Sequence, residues 1–194
     1  MNIYCIGDSI TFGYGLTRLS QRWTDIAAAR TGHTLVNCGI SGDTTGGMLA
    51  RCQWQIWPKK PDLMIFLGGI NDINLTNQYR PCCANVAAIV HQAAAYGIPM
   101  MLGLPLPIVP EDFPFLSWDN HLDLKGNVFR CEEYAQWLRE YANYKDLPCI
   151  DFRSPFFDKD GKVIRELFQD GLHPTAEGHA LMADALCEVL DQYC

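Results

Sequence analysis

The run from residue 62 to residue 67 most constrains the fold, because five apolar residues in it follow one another without interruption. A continuously apolar strand is typical of a parallel sheet that is buried on both faces. Four other strand-like runs are spaced along the chain, and segments with helical periodicity separate them. Strands that alternate with helices predict an α/β fold in which helices cover both faces of a parallel sheet. The predicted strands comprise residues 2–6, 33–38, 62–67, 98–104 and 147–152.

The helices are predicted from apolar periodicity and from the glycines and prolines at their ends. Gly32 and Gly97 stand where glycine commonly ends a helix. Pro58 stops a helix whose start Asp43 or Thr44 would cap. The last helix carries an apolar stripe on one face. The predicted helices comprise residues 20–30, 82–96, 125–144 and 175–192, with a further helix ending near residue 57.

The composition favours one domain and excludes several classes of partner. The chain has 194 residues, of which 48% are hydrophobic, so we expect a single domain over residues 1–194. The net charge of −7 and the lack of a Lys/Arg cluster disfavour nucleic acid and anionic membranes. No stretch approaches the roughly 20 apolar residues of a membrane span. The N-terminus enters a strand without a signal-peptide pattern, so we expect a cytoplasmic protein or a mature form.

Nine cysteines are spread along the chain, and no two of them have the C-x-x-C spacing. Their number is odd, and several fall in apolar, strand-like runs. We interpret them as small buried hydrophobic residues in a reducing compartment, the alternatives being disulfides or a metal site.

The tripeptide Gly7-Asp8-Ser9 directly follows the first predicted strand. In an open α/β sheet, ligands bind outside the carboxyl ends of the strands, so Ser9 lies where chemistry usually occurs. Gly7 allows a tight turn there, and Asp8 is a good turn residue. Taken alone, the tripeptide could equally be a turn that leads into the N-terminus of a helix.

Three further segments carry polar groups that acyl transfer requires. A serine nucleophile needs a base and a third group that orients the base. Asp170 and His173 are three residues apart, so the carboxylate could accept from Nδ1–H and leave Nε2 free for Ser9. The backbone N–H groups of Ser9 and Gly42 and the side-chain amide of Asn71 could hold the oxyanion.

This pattern resembles the SGNH hydrolases, a family also called GDSL esterases/lipases. The resemblance implies a flavodoxin-like, three-layer α/β/α sandwich with a five-stranded parallel sheet, and no metal or cofactor. It implies Ser9 as nucleophile, His173 as general base and acid, Asp170 as its orienting group, and Ser9, Gly42 and Asn71 as oxyanion hole. Position 10 is Ile where the family name has Leu, and the G-x-S-x-G elbow of α/β-hydrolases is absent. The blocks are Gly7-Asp8-Ser9-Ile10, Ser41-Gly42-Asp43, Gly69-Ile70-Asn71-Asp72 and Asp170-Gly171-Leu172-His173-Pro174.

Two residues compete with these roles on paper. His121 follows the long loop 105–120 and is an alternative base, although it matches none of the family blocks. Ser41 is an alternative nucleophile beside Gly42, where the family pattern instead assigns the backbone an oxyanion role.

Trp54 and Trp57 mark either an interface or the core face of their helix.

The substrate is expected to be a small ester with a short acyl chain, such as an O-acetyl group on a carbohydrate. The loop 105–120 follows the fourth strand and would form a wall of the site, with Phe113, Phe115 and Trp118 lining it. Those aromatic residues could equally pack the loop onto the body of the protein. A lysophospholipase or thioesterase acting on lipids, a silent binding module and a flavin- or nucleotide-binding protein are the alternatives. The last lacks a G-x-G-x-x-G or Walker motif.

Overall fold

The computed structural model describes residues 1–113 and 123–193. Its centre is a five-stranded sheet with the strand order β2-β1-β3-β4-β5. Every neighbouring pair of strands is parallel. This is the order of the flavodoxin-like doubly wound fold, so the predicted fold class is confirmed. The strands are β1 (Asn2–Gly7), β2 (Thr34–Gly39), β3 (Leu63–Leu67), β4 (Met100–Gly103) and β5 (Cys149–Ile150).

Helices cover both faces of the sheet and make the outer two layers. One core cluster joins the sheet to α3, α4, α5 and α6. A second cluster on the opposite face joins it to α1, α2 and α7. The helices are α1 (Ser9–Phe12), α2 (Trp23–Thr31), α3 (Thr45–Gln55), α4 (Ile70–Thr76), α5 (Arg80–Ala95), α6 (Leu124–Tyr144) and α7 (Ala176–Tyr193).

The central strand β3 shows why its sequence is apolar at every position. Met64 and Phe66 contribute to the core under α3, α5 and α6. Leu63, Ile65 and Leu67 contribute to the opposite core, under α2 and α7. Successive side chains of a strand point to opposite faces, so both faces must be apolar here. All five residues are buried.

The structure differs from the predicted elements at several ends. Two short helices, α1 and α4, lie directly after β1 and β3, outside the predicted helices. Strand β5 has only two residues instead of the predicted six. It ends early because the Asp151 carboxylate accepts the backbone N–H groups of Arg153 and Ser154, at 3.0 and 2.9 Å, and forms a turn. Helix α3 ends at Gln55, and Pro58 lies in a separate 3₁₀ turn.

The two tryptophans near the end of α3 have different environments. Trp57 is 1% exposed and belongs to the core, whereas Trp54 is 66% exposed.

Cys5, Cys52 and Cys82 are fully buried among apolar side chains. Burial raises the pKa of the Cys52 thiol to about 12, so this side chain stays neutral and packs as a hydrophobic residue. Within residues 1–113 and 123–193, no helix has the length and apolar character needed to span a membrane.

Candidate active site

The carboxyl ends of three adjacent strands are aligned, and the candidate residues follow them directly. Gly7 at the end of β1 pairs with Gly39 of β2 on one side and with Leu67 of β3 on the other. Ser9 lies two residues after Gly7. Gly42 lies three residues after Gly39, and Asn71 lies four residues after Leu67. Parallel pairing thus brings three loops that are distant in sequence to one edge of the sheet.

Ser9 is the first residue of the short helix α1. Asp8 caps this helix, because its carboxylate accepts the backbone N–H of Ile10 at 2.9 Å. The Ser9 carbonyl accepts the N–H groups of Gly13 and Tyr14 at 2.9 and 3.0 Å. Only 5% of Ser9 is exposed. The nucleophile candidate is therefore held on a rigid turn with little contact to solvent.

Asp170 and His173 lie on a tight turn that precedes α7. The Asp170 carboxylate accepts the backbone N–H groups of Leu172 and His173 at 3.1 and 2.8 Å. Gly171 has a φ of +76°, and its carbonyl accepts the N–H of Val109 at 2.8 Å. A Cβ at this glycine would lie 2.4 Å from the Val109 carbonyl oxygen. The turn thus needs glycine both for its backbone angle and for its contact with the segment after β4.

The structure brings Ser9, His173 and Asp170 into a continuous hydrogen-bonded line. His173 Nε2 lies 2.9 Å from Ser9 Oγ, and His173 Nδ1 lies 2.7 Å from Asp170 Oδ2. A carboxylate can only accept, so Nδ1 carries the ring proton and Nε2 accepts from the serine hydroxyl. Burial raises the pKa of Asp170, but the hydrogen bonds from His173 outweigh it and leave that pKa below its ordinary value. The carboxylate therefore stays ionised beside the imidazole.

Asp8, next to the candidate nucleophile, has an unusual environment for a carboxyl group. It is 1% exposed, and burial raises its pKa from 3.8 to about 7. The hydrogen bond from the Ile10 N–H and the nearby His173 oppose this rise, whereas the carboxylates of Asp43 and Asp72 add to it. Asp8 therefore changes charge near neutral pH within the site.

Two of the predicted oxyanion donors, Gly42 and Asn71, are linked through Asp43, which follows Gly42 and accepts from Asn71. Gly42 is exposed, has a φ of +77° and leaves open space where a Cβ would be. The Asn71 amide donates one N–H to the Asp43 carbonyl oxygen at 2.9 Å, which fixes the orientation of the amide. An amide nitrogen carries a second N–H that remains for a ligand. Among the described residues, no hydrogen bond involves the backbone N–H of Ser9 or Gly42.

Tyr14 is a site residue that the sequence did not single out. Its ring lies 4.5 Å from the His173 imidazole between centroids, with a tilt of 41°. The Gln169 amide donates to the carbonyl oxygens of Tyr14 and Pro174, at 3.2 and 2.6 Å, and so joins this loop to the histidine turn. The only signal in the sequence is the pair of glycines on either side of Tyr14.

The other candidates from the sequence have different outcomes. Phe113 is 8% exposed and packs in a core cluster with Leu172, which leaves it little surface to offer a substrate. Phe115, Trp118 and His121 lie outside the described residues. Ser41 is exposed, and no hydrogen bond joins its hydroxyl to a histidine in the described part of the chain.

Comparison with known proteins identifies one matching family and two similar curated proteins. Residues 5–181 match the model of the GDSL-like lipase/acylhydrolase family. The uncharacterized lipoprotein YqeF of Bacillus subtilis is 25% identical over 199 residues, covering 92% of this chain and 82% of that protein. Esterase TesA of Pseudomonas aeruginosa is 33% identical over 108 residues, covering 53% of each chain.

The fold agrees with solved structures over the whole chain. A carbohydrate acetylesterase from Sinorhizobium meliloti superposes with a TM-score of 0.82, covering 100% of this chain and 99% of that one at 19% identity. The family model covers most of the sequence and includes all four blocks. The chain therefore belongs to the GDSL-like lipase/acylhydrolase family.

Proposed function

We propose that the protein is a serine esterase that hydrolyses carboxylic esters through an acyl-enzyme on Ser9. The observation that carries the proposal is the line of contacts from Ser9 Oγ through the His173 imidazole to the Asp170 carboxylate, at 2.9 and 2.7 Å. This arrangement supplies a nucleophile, a base and an orienting group within hydrogen-bonding distance. Membership of an acylhydrolase family supports the same chemistry.

In the proposed reaction, Ser9 Oγ attacks the ester carbonyl carbon while His173 Nε2 takes the hydroxyl proton. Asp170 keeps the proton on Nδ1 and stabilises the imidazolium that forms. His173 then gives its proton to the oxygen of the leaving alcohol, and the bond between that oxygen and the acyl carbon breaks. Water attacks the acyl-enzyme with the same histidine as base, which releases the acid and regenerates Ser9.

The oxyanion of the tetrahedral intermediate would accept from the backbone N–H groups of Ser9 and Gly42 and from the Asn71 amide. Asn71→Ala removes one of these donors, and we expect kcat to fall on the order of a hundredfold. Initial rates on a soluble ester, with circular dichroism to verify the fold, measure this effect. An unchanged kcat would exclude Asn71 from the oxyanion hole.

For the substrate, we propose small esters with short acyl chains, of which O-acetylated carbohydrates are the favoured class. The likeness in fold to a carbohydrate acetylesterase supports this choice. The curated relative named an esterase supports ester hydrolysis more generally. Long-chain lipids or thioesters are the alternative, which acyl-chain preference separates.

The test is hydrolysis of p-nitrophenyl esters from acetate to decanoate, with Ser9→Ala measured in parallel. We expect activity that falls with chain length and disappears in the variant. A rise with chain length would favour a lipid acylhydrolase instead. A serine-directed fluorophosphonate probe should label the wild-type protein and spare Ser9→Ala. Absence of labelling together with absence of hydrolysis would indicate a silent binding module.

A further inference from the structure

Arg51 is a buried arginine that contacts two of the loops of the candidate site. It lies in α3 and is 5% exposed. Its guanidinium donates from Nε to Asp43 Oδ2 at 2.7 Å and from Nη2 to the Gly7 carbonyl oxygen at 2.9 Å. A third bond runs from Nη1 to Gln55 Oε1 at 2.6 Å. Each nitrogen of the guanidinium thus has a protein acceptor.

The first two acceptors lie beside the proposed oxyanion donors. Gly7 precedes the Asp8-Ser9 turn, and its carbonyl also accepts the N–H of Ile40 at 3.1 Å. Asp43 follows Gly42 directly, and its own carbonyl oxygen accepts the Asn71 amide at 2.9 Å. One guanidinium therefore joins the segments that carry Ser9 and Gly42, and through Asp43 it also reaches Asn71.

The first turn of α3 is shaped to receive the Asp43 carboxylate. Thr44 caps the helix by accepting the N–H of Gly47 at 3.1 Å. A Cβ at Gly47 would lie 2.0 Å from Asp43 Oδ1, so only glycine lets the carboxylate lie this close to the helix. Arg51 is four residues further along and faces the same carboxylate. The Asp43–Arg51 ion pair is 2.7 Å long, and both side chains are almost fully buried.

A buried ion pair is weak evidence for a role in stability, because well-packed apolar residues often serve as well. The planar guanidinium can instead fix the relative positions of two acceptors, because its N–H groups point in defined directions. Oxyanion stabilisation depends on donors that are already oriented before the reaction. We propose that Arg51 is a positioning residue, which sets the geometry of the oxyanion hole through Asp43 and Gly7. This role rests on the proposed esterase function.

The test compares kcat and KM of Arg51→Lys and Arg51→Met with those of the wild type on a short-chain p-nitrophenyl ester. Lysine keeps the charge but cannot hold both acceptors, so we expect both variants to lose kcat, on the order of 10- to 100-fold, with KM nearly unchanged. If Arg51→Met fails to fold, Arg51→Lys alone decides. Gln55→Ala removes only the contact outside the two loops, and it should keep wild-type kcat. Ile56→Ala, in the core after the same helix, is the control for lost stability and should lower Tm without lowering kcat.

A double-mutant cycle with Asn71→Ala separates positioning from a merely structural effect. Arg51 orients Asn71 through Asp43 in this proposal, so the Arg51→Lys/Asn71→Ala variant should lose far less than the product of the two single losses. Multiplicative losses, or an Arg51→Lys variant with wild-type kcat, would overturn the positioning role while leaving the esterase function intact. A wild-type protein without Ser9-dependent hydrolysis would overturn both.

Discussion

The ring of Tyr14 packs against the imidazole of His173, with the two centroids 4.5 Å apart. Tyr14 is 51% exposed, so it covers one face of the imidazole while its own outer face meets solvent. Two hydrogen bonds fix the backbone of Tyr14. Its N–H donates to the Ser9 carbonyl oxygen, and its carbonyl oxygen accepts from the Gln169 amide. The nucleophile segment and the histidine turn thus share this residue.

Replacing Tyr14 should weaken the orientation of the histidine without removing any proposed reacting group. An aromatic pair of this kind contributes about 0.5–1.5 kcal/mol, so Tyr14→Ala should lower kcat/KM by roughly 2- to 10-fold. Tyr14→Phe keeps the ring contact and should remain close to the wild type. The measurement is kcat/KM together with the rate of fluorophosphonate labelling. Equal losses in both variants would assign the effect to the hydroxyl group rather than to the ring.

Asp170→Asn should separate two roles of this side chain, the capping of its turn and the orientation of the His173 ring. The amide oxygen can still accept the backbone N–H groups of Leu172 and His173, so the turn and the thermal stability should be nearly retained. The amide NH₂ then faces Nδ1 and forces the ring proton to Nε2, where it blocks acceptance from Ser9. We expect kcat to fall about 10⁴-fold. An Asp170→Asn enzyme within tenfold of wild-type kcat would contradict the orienting role.

Gly171→Ala tests the contact between the histidine turn and the segment after β4. Gly161 provides a matched control, because it has the same φ of +76° but no atom within 4 Å of an added Cβ. Gly161→Ala should cost about 1–2 kcal/mol of unfolding free energy from backbone strain alone. Gly171→Ala adds the clash with Val109, so it should cost more and should also lower kcat. Urea denaturation and esterase rates measure the two effects, and equal costs in both variants would exclude the clash.

His179 should make the protein less stable in mild acid. This side chain is fully buried, and its Nδ1 accepts the N–H of Trp23, the first residue of α2, at 3.3 Å. Burial, together with the charges of Arg22 and His173, lowers its pKa from 6.5 to about 4. The unfolded chain therefore binds more protons between these values, so its stability falls as pH drops from about 6.5 to 4. The loss from this group levels off below pH 4, at about 3 kcal/mol.

The check is urea denaturation across that range of pH for the wild type and His179→Gln. Glutamine can accept the same N–H without titrating, so the variant should show a smaller decline in stability toward acid. His91→Gln removes an exposed histidine and should keep the decline of the wild type. A His179→Gln curve parallel to that of the wild type would show that His179 does not titrate as described.

The layout of the sheet could be predicted from the sequence because each strand carries its own signal. The apolar run in β3, Gly7 at the end of β1 and Gly69 after β3 indicate where these strands lie and where they end. The short helices α1 and α4 could not be predicted, because four and seven residues are too few to show a helical period. The length of β5 depends on a turn made by the Asp151 side chain, which competes with the strand.

The candidate triad could also be predicted, because its members stand in short blocks with ordered spacing. Arg51 and Tyr14 could not. A single arginine in a helix is usually a solvent-exposed charge, and two of the three acceptors of Arg51, Gly7 and Asp43, come from the ends of distant segments of the chain. Tyr14 meets His173 where the Gln169 amide joins the segment after β1 to the histidine turn. Contacts of this kind follow from the tertiary structure and leave no local pattern.

The Asp170–His173 pair and the Ser9–His173 contact differ in the length of chain that they span. The first closes over three residues, whereas the second joins positions 164 residues apart. The hydrogen bond between Asp170 and His173 can therefore form within an isolated turn, but Ser9 meets His173 only when α7 has docked beside α2. During refolding, hydrolysis should therefore return only once α7 has docked beside α2. Recovery of the proposed esterase activity would then report when the two distant parts of the chain that carry Ser9 and His173 come together.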